Sequence, residues 1–170
     1  MPRSGVAMGA FRWIENTPPS VFVREDFYAY FVLLIFHAWG MAMLVGGGLV
    51  VSLRLMGVAS GARLERFAVF FPWMKVGTVM AILSGIGLLL GYPAKALTNW
   101  VFALKFACFI AAALTMRHAA YAYFPLAASG KVVPAGSRGV GAAAFLLWIG
   151  GVACGKLLLY TNTVLMVSDG

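Results

Sequence analysis

Residues 27–53 read FYAYFVLLIFHAWGMAMLVGGGLVVSL, 27 consecutive positions without Asp, Glu, Lys or Arg and with a single ionisable side chain, His37. A helix needs about 20 apolar residues to cross the hydrocarbon of a bilayer, and a run of this length exceeds both a strand and the apolar core of a signal peptide. The stretch therefore predicts a membrane-spanning helix. The whole composition agrees: 62% of the 170 residues are hydrophobic and 11% charged, with a mean hydropathy of +0.92. A soluble domain carries roughly 45–50% apolar and about 25% charged residues.

Moving outward from that run, three further apolar stretches emerge. Val76 to Ala94 is uncharged and extends backwards as a helix through Phe67; the next runs from about Thr98 to Phe124 around Lys105; the last runs from about Gly139 to Val167 and is interrupted by Lys156. Spans are thus expected at about 27–56, 67–91, 98–124 and 139–167. The connections are short and punctuated by Gly91, Pro93, Pro125, Gly130, Pro134 and Gly136. Short loops make sequential helices antiparallel neighbours, so the expected fold is all-α, an integral membrane four-helix antiparallel bundle over 27–170 with both termini on one side. Small residues that allow close helix contact recur within the spans: Gly46-Gly47-Gly48, Ala81 and Gly85, Gly87 and Gly91, Gly151 and Gly155. Residues 1–26 form an arm whose aromatic and charged groups, from Phe11-Arg12-Trp13-Ile14 through Pro18-Pro19 to Arg24-Glu25-Asp26, suit an interfacial position. No small-residue cleavage site follows the first apolar run, which is expected to stay as an anchor.

The formal charge is +8, from 13 Lys and Arg against 5 Asp and Glu. Its distribution speaks for orientation and against a nucleic-acid surface. Arg54, Arg63, Arg66, Arg117, Lys131 and Arg138 gather at one set of span ends, and Lys95, Arg3, Arg12 and Arg24 belong to the other. Positive residues stay on the cytoplasmic side, which predicts that the N- and C-termini lie outside a bacterial inner membrane. Cys108 and Cys154 sit in apolar stretches with no C-x-x-C and read as packing thiols.

Ionisable groups within spans are costly and mark function by default. At about 1.5 Å per residue, His37 lies roughly 15 Å, Lys105 roughly 10 Å and Lys156 roughly 16 Å from the outer side. Three helices thus contribute to one layer, and no acid occurs in any span to neutralise it. A haem would satisfy such a layer, with imidazole as axial ligand and bundle helices around the cofactor. An anion, a lipid or quinone head group, or a lysine acting as base or ligand would also fit. His118 is about 15 Å from the level of His37 and does not qualify as a facing axial ligand. Met41, one turn after His37, adds a His/Met pair that could hold copper as an alternative.

The ordered motifs Trp13-Ile14-Glu15-Asn16-Thr17-Pro18, Val23-Arg24-Glu25, His37 with Gly46-Gly47, Leu53-Arg54-Leu55-Met56-Gly57, Ser84-Gly85 and Asn99-x-x-Phe102-x-x-Lys105 resemble an uncharacterised bacterial family of four-helix membrane proteins, a domain of unknown function, over about residues 11–120. Ser52 stands where that family has an acid. More distantly, a first-span His, a Ser/Thr-Gly in the second span and a Lys early in the third are similar to the copper-resistance D domain and to HemJ-type protoporphyrinogen oxidases. The latter resemblance implies b-type haem at His37 and Lys105; the Pro-Arg of those oxidases is replaced here by Leu53-Arg54. The expectation is a small membrane protein that binds haem b through His37, Lys105 and Lys156 and takes part in membrane electron transfer, as an oxidoreductase if it is an enzyme. The alternatives are copper handling through His37 and Met41, and a non-catalytic subunit that binds lipid, a redox partner or a larger membrane complex.

Overall fold

The computed structural model describes residues 13–91, 97 and 99–164, with side chains through Leu158. Helix α1 (Pro18–Glu25) precedes the spanning helices α2 (Phe27–Met56) and α3 (Phe70–Gly91), the latter led in by a 3₁₀ segment over Leu64–Val69. Helix α4 (Trp100–Ala122) is followed by the short α5 (Phe124–Ala128), and α6 (Gly136–Val164) is the last described element. Four stretches, Phe27–Met56, Leu64–Gly91, Trp100–Ala128 and Gly136–Leu158, are long and apolar enough to cross a membrane. The molecule is a multi-pass membrane protein. Arg3, Arg12, Lys95, Thr98 and the end of the fourth expected span lie outside the described residues.

Local chemistry sets the helix ends. The Asp26 side chain accepts from Ala29 N at 2.8 Å and caps α2. Gly57, at φ 104°, ends the helix in a left-handed turn that a residue with a Cβ adopts only with strain, while Arg54 clamps the following loop by donating to Ala62 O at 2.9 and 2.7 Å. Pro18 and Pro19 start a helix, where their missing N–H groups cost nothing, instead of interrupting the arm. Helix α1 does not lie free: the Ser20 hydroxyl is fully buried and donates to Leu90 O at 2.7 Å, tying the arm to the end of α3.

Packing runs α3 against α2, α2 against α6 and α6 against α4. A Cβ at Gly40 would come within 2.6 Å of Ala81 N and 2.8 Å of Gly77 O, so two helix backbones touch there and only glycine fits. Gly48 gives the same clearance to the indole of Trp148 on α6, and Gly141 to Leu55 on α2. The expectation that all sequential spans are neighbours needs correction. Among the described residues α3 and α4 make no extended contact; α3 instead reaches α5, where the rings of Phe71 and Phe124 sit edge-to-face at 4.8 Å. The reason is that α2 and α6 occupy the middle of the layer and hold the outer pair apart.

The core is correspondingly lopsided. Val51, Leu55, Leu64, Met74, Met116, Ala119, Phe124, Ala144 and Trp148 gather towards the arginine-bearing end. Towards the end that carries the termini, Tyr28, Phe31, Val32, Phe36 and Trp39 of α2 and Leu104 and Phe106 of α4 are exposed, and α2 and α4 leave a groove between them.

Candidate functional site

That groove, about 620 Å³, is where the residues singled out from sequence meet. Helix α2 contributes His37, Met41 and Gly46; α4 contributes Lys105 and Phe109; α6 contributes Gly151, Gly155 and Lys156. The register explains it. Gly48 faces Trp148, and Lys156 lies about two turns beyond Trp148, which returns it to the level of Gly40 and Met41. On the other interface Phe109 covers Gly151 and the stem of Lys105 lies along Gly155, its Nζ 3.9 Å from where a Cβ would be. Gly46 has no atom within 4 Å of such a position, so its lack of a side chain leaves groove instead of closing a contact.

His37 is held from behind. Its Nδ1 lies 3.1 Å from Ala81 O and 3.2 Å from Ser84 Oγ. A carbonyl only accepts, so the proton belongs on Nδ1, and the hydroxyl of Ser84, which donates to Met80 O at 2.5 Å, turns a lone pair towards the same N–H. The ring rests against Gly85, with Cε1 3.2 Å from a virtual Cβ. This assignment leaves Nε2 with a free lone pair, and no hydrogen bond to it is seen among the described residues. Fixing one imidazole nitrogen on a backbone carbonyl while presenting the other is how proteins orient a ligating histidine.

The two lysines differ. Lys105 is half-buried between α4 and α6, whereas Lys156 is exposed at the mouth. No Asp or Glu lies within α2, α3, α4 or α6, and the ion pairs Arg24–Glu25 (4.0 Å) and Arg63–Glu65 are remote from the groove. His118 is exposed and edge-on to Tyr123 at 5.7 Å, at the other end of α4, as its depth predicted. Lys75 and Arg117 are also exposed outside the groove, Arg117 over the Tyr121 ring at 5.9 Å.

Sequence reasoning missed the roles of four residues. Ser84 was visible only as part of a Ser-Gly motif, and its role depends on α2 and α3 touching through Gly40 and Gly77. Phe109, four residues after Lys105, was hidden among apolar neighbours. Cys108 and Cys154 read as separate packing thiols, yet Cys108 Sγ rests 3.6 Å from the virtual Cβ of Gly150, one turn before Cys154, across the α4–α6 interface.

The donor set discriminates among occupants. Among the described residues no three His, Cys, Asp or Glu side chains come together. A bare transition-metal ion would have one imidazole and the Met41 thioether. A porphyrin brings four nitrogens of its own and needs a single protein ligand, carboxylate partners and an apolar wall, which Nε2 of His37, the lysines and Phe109 can furnish. No protein-family profile, curated protein or solved structure matches the chain.

Proposed function

We propose that this membrane protein binds a b-type haem in the groove between α2, α4 and α6 and takes part in electron transfer within a bacterial inner membrane. The observation that carries the reading is the anchored imidazole, with Nδ1 of His37 on Ala81 O and Ser84 and Nε2 left to ligate. With haem bound, Lys156 would offer positive charge to its propionates, and Lys105 would either do the same as an ammonium or, unprotonated, ligate the iron. The groove volume falls within the roughly 300–1,000 Å³ of small-molecule sites. Bound there, haem supplies a one-electron carrier; the protein's part is to hold it, neutralise its carboxylates and shield it with Phe109. The basic residues at the ends of α2 and α4 and the starts of α3 and α6 favour a cytoplasmic position for those ends and external termini.

The test is a reduced-minus-oxidised spectrum of protein purified in mild detergent after haem-sufficient expression. A Soret band that disappears in His37→Ala is expected; its absence from the wild type ends the reading.

A second reading is favoured by the lack, among the described residues, of any acid near the lysines and by the open side of the groove: a non-catalytic protein that holds an anionic lipid head group between Lys105 and Lys156. Native mass spectrometry that finds a retained anionic lipid and no chromophore would favour it. Copper ranks behind both because, among the described residues lining the groove, it would find one imidazole, His37, and one thioether, Met41.

A further inference from the structure

The two cysteines of this chain lie 46 positions apart and on different helices. Nothing in their spacing pairs them, but the α4–α6 register does. Lys105 lies on Gly155 and Phe109 on Gly151, so the stretch of α4 that carries Cys108 packs on the stretch of α6 that carries Cys154. Cys108 Sγ lies 3.6 Å from the virtual Cβ of Gly150, one turn before Cys154, which places the two cysteines on the facing surfaces of α4 and α6. Glycine at 150 is what lets a sulfur settle this close to the α6 backbone. Cys154 is buried and Cys108 half-buried, so water-soluble oxidants have poor access, whereas a reagent dissolved in the bilayer can approach along the α4 side.

We propose that Cys108 and Cys154 form a reversible dithiol–disulfide couple that staples α4 to α6 beside the groove, with a lipid-soluble quinone as the oxidant. Two S–H bonds break and one S–S bond forms; the two electrons and two protons pass to the quinone, which becomes the quinol. A disulfide tolerates only a narrow range of Cβ separations, and cysteines about one helical turn apart in level across two packed helices approach that range by side-chain rotation and a small shift between the helices. The couple stands independently of haem. Its consequence for the groove is positional: Cys108 lies one turn from Lys105 and Cys154 two residues from Lys156, so the staple fixes the register of the two lysines.

The experiment uses reduced, purified full-length protein in lipid nanodiscs exposed to a short-chain ubiquinone analogue, then denatured, alkylated and weighed. Since the chain has only two cysteines, oxidation should remove both alkylation sites together in a monomeric species, and dithiothreitol should restore both. Cys108→Ser and Cys154→Ser should each leave one alkylatable thiol under all conditions. Ala107→Cys in a Cys108→Ala background, which turns the thiol about 100° around α4, should not form the bond. Retention of two free thiols with the quinone, even if copper–phenanthroline can force the disulfide, would overturn the couple. Covalent dimers in place of an internal bond, or equal yield from the displaced cysteine, would overturn the pairing.

Discussion

The imidazole of His37 and the backbone of Gly85 are in contact, Cε1 lying 3.2 Å from the point a Cβ at Gly85 would occupy. The small residue therefore sets how far the ring can sit back towards α3, and with it the reach of Nε2 into the groove. Gly85→Ala pushes the ring by a few tenths of an ångström and should shift the Soret maximum and midpoint potential with the protein still folded. Gly85→Leu should abolish haem retention. Spectroelectrochemistry of the two variants checks the order.

Ser84→Ala removes one of two groups facing Nδ1 and leaves Ala81 O. Loss of such an outer partner typically lowers affinity about 10–100-fold. We expect that weakening in haem titrations, with little change in thermal stability, because Ser84 otherwise bonds only within its own helix.

Gly40→Ala and Gly46→Ala are the same chemical change on one helix with opposite expected outcomes. The first places a methyl 2.6 Å from Ala81 N and must part α2 from α3, an overpacking cost of about 1–3 kcal/mol. The second meets nothing within 4 Å and should leave stability unchanged while narrowing the groove. Thermal aggregation profiles in detergent separate them.

Trp148 is fully buried and its Nε1 has no hydrogen-bond partner. Trp148→Phe removes that unsatisfied donor, worth about 1–3 kcal/mol, and offsets much of the lost volume. It should cost far less than Trp148→Ala, for which about 3–5 kcal/mol is expected. Denaturation midpoints of the two variants test the difference.

Lys105→Met together with Lys156→Met takes away two positive groups that no spanning acid compensates. The double variant should resist heat better than the wild type and retain less haem or anionic lipid. A fall in stability would show that the lysines have partners that hold the groove together.

The four spans were legible because a bilayer demands long uncharged runs, and α2 ended within the expected 27–56. The break at Tyr123 that divides α4 from α5, and the separation of α3 from α4, were not. Lipid is as apolar as a core, so hydrophobic periodicity loses its power to tell the packed face of a helix from the lipid-facing one. What survived were the exceptions to apolarity: His37, Lys105 and Lys156 could be placed in one layer by depth alone, and the structure gathers them on one groove. The partners that depend on rotation about a helix axis, Ser84, Phe109 and the facing cysteines Cys108 and Cys154, required the register fixed by Gly40, Gly48 and Gly151.

The uneven distribution of buried side chains also has a kinetic meaning. Trp148, Met116 and Leu55 clamp one end of the molecule, while the first turns of α2 leave Phe27, Tyr28 and Phe31 exposed. Openings of low free energy arise where packing is sparse. On the proposed function, a flat, greasy guest would enter sideways from the bilayer by a brief spreading of α2 from its neighbours, and exchange far faster than the chain unfolds.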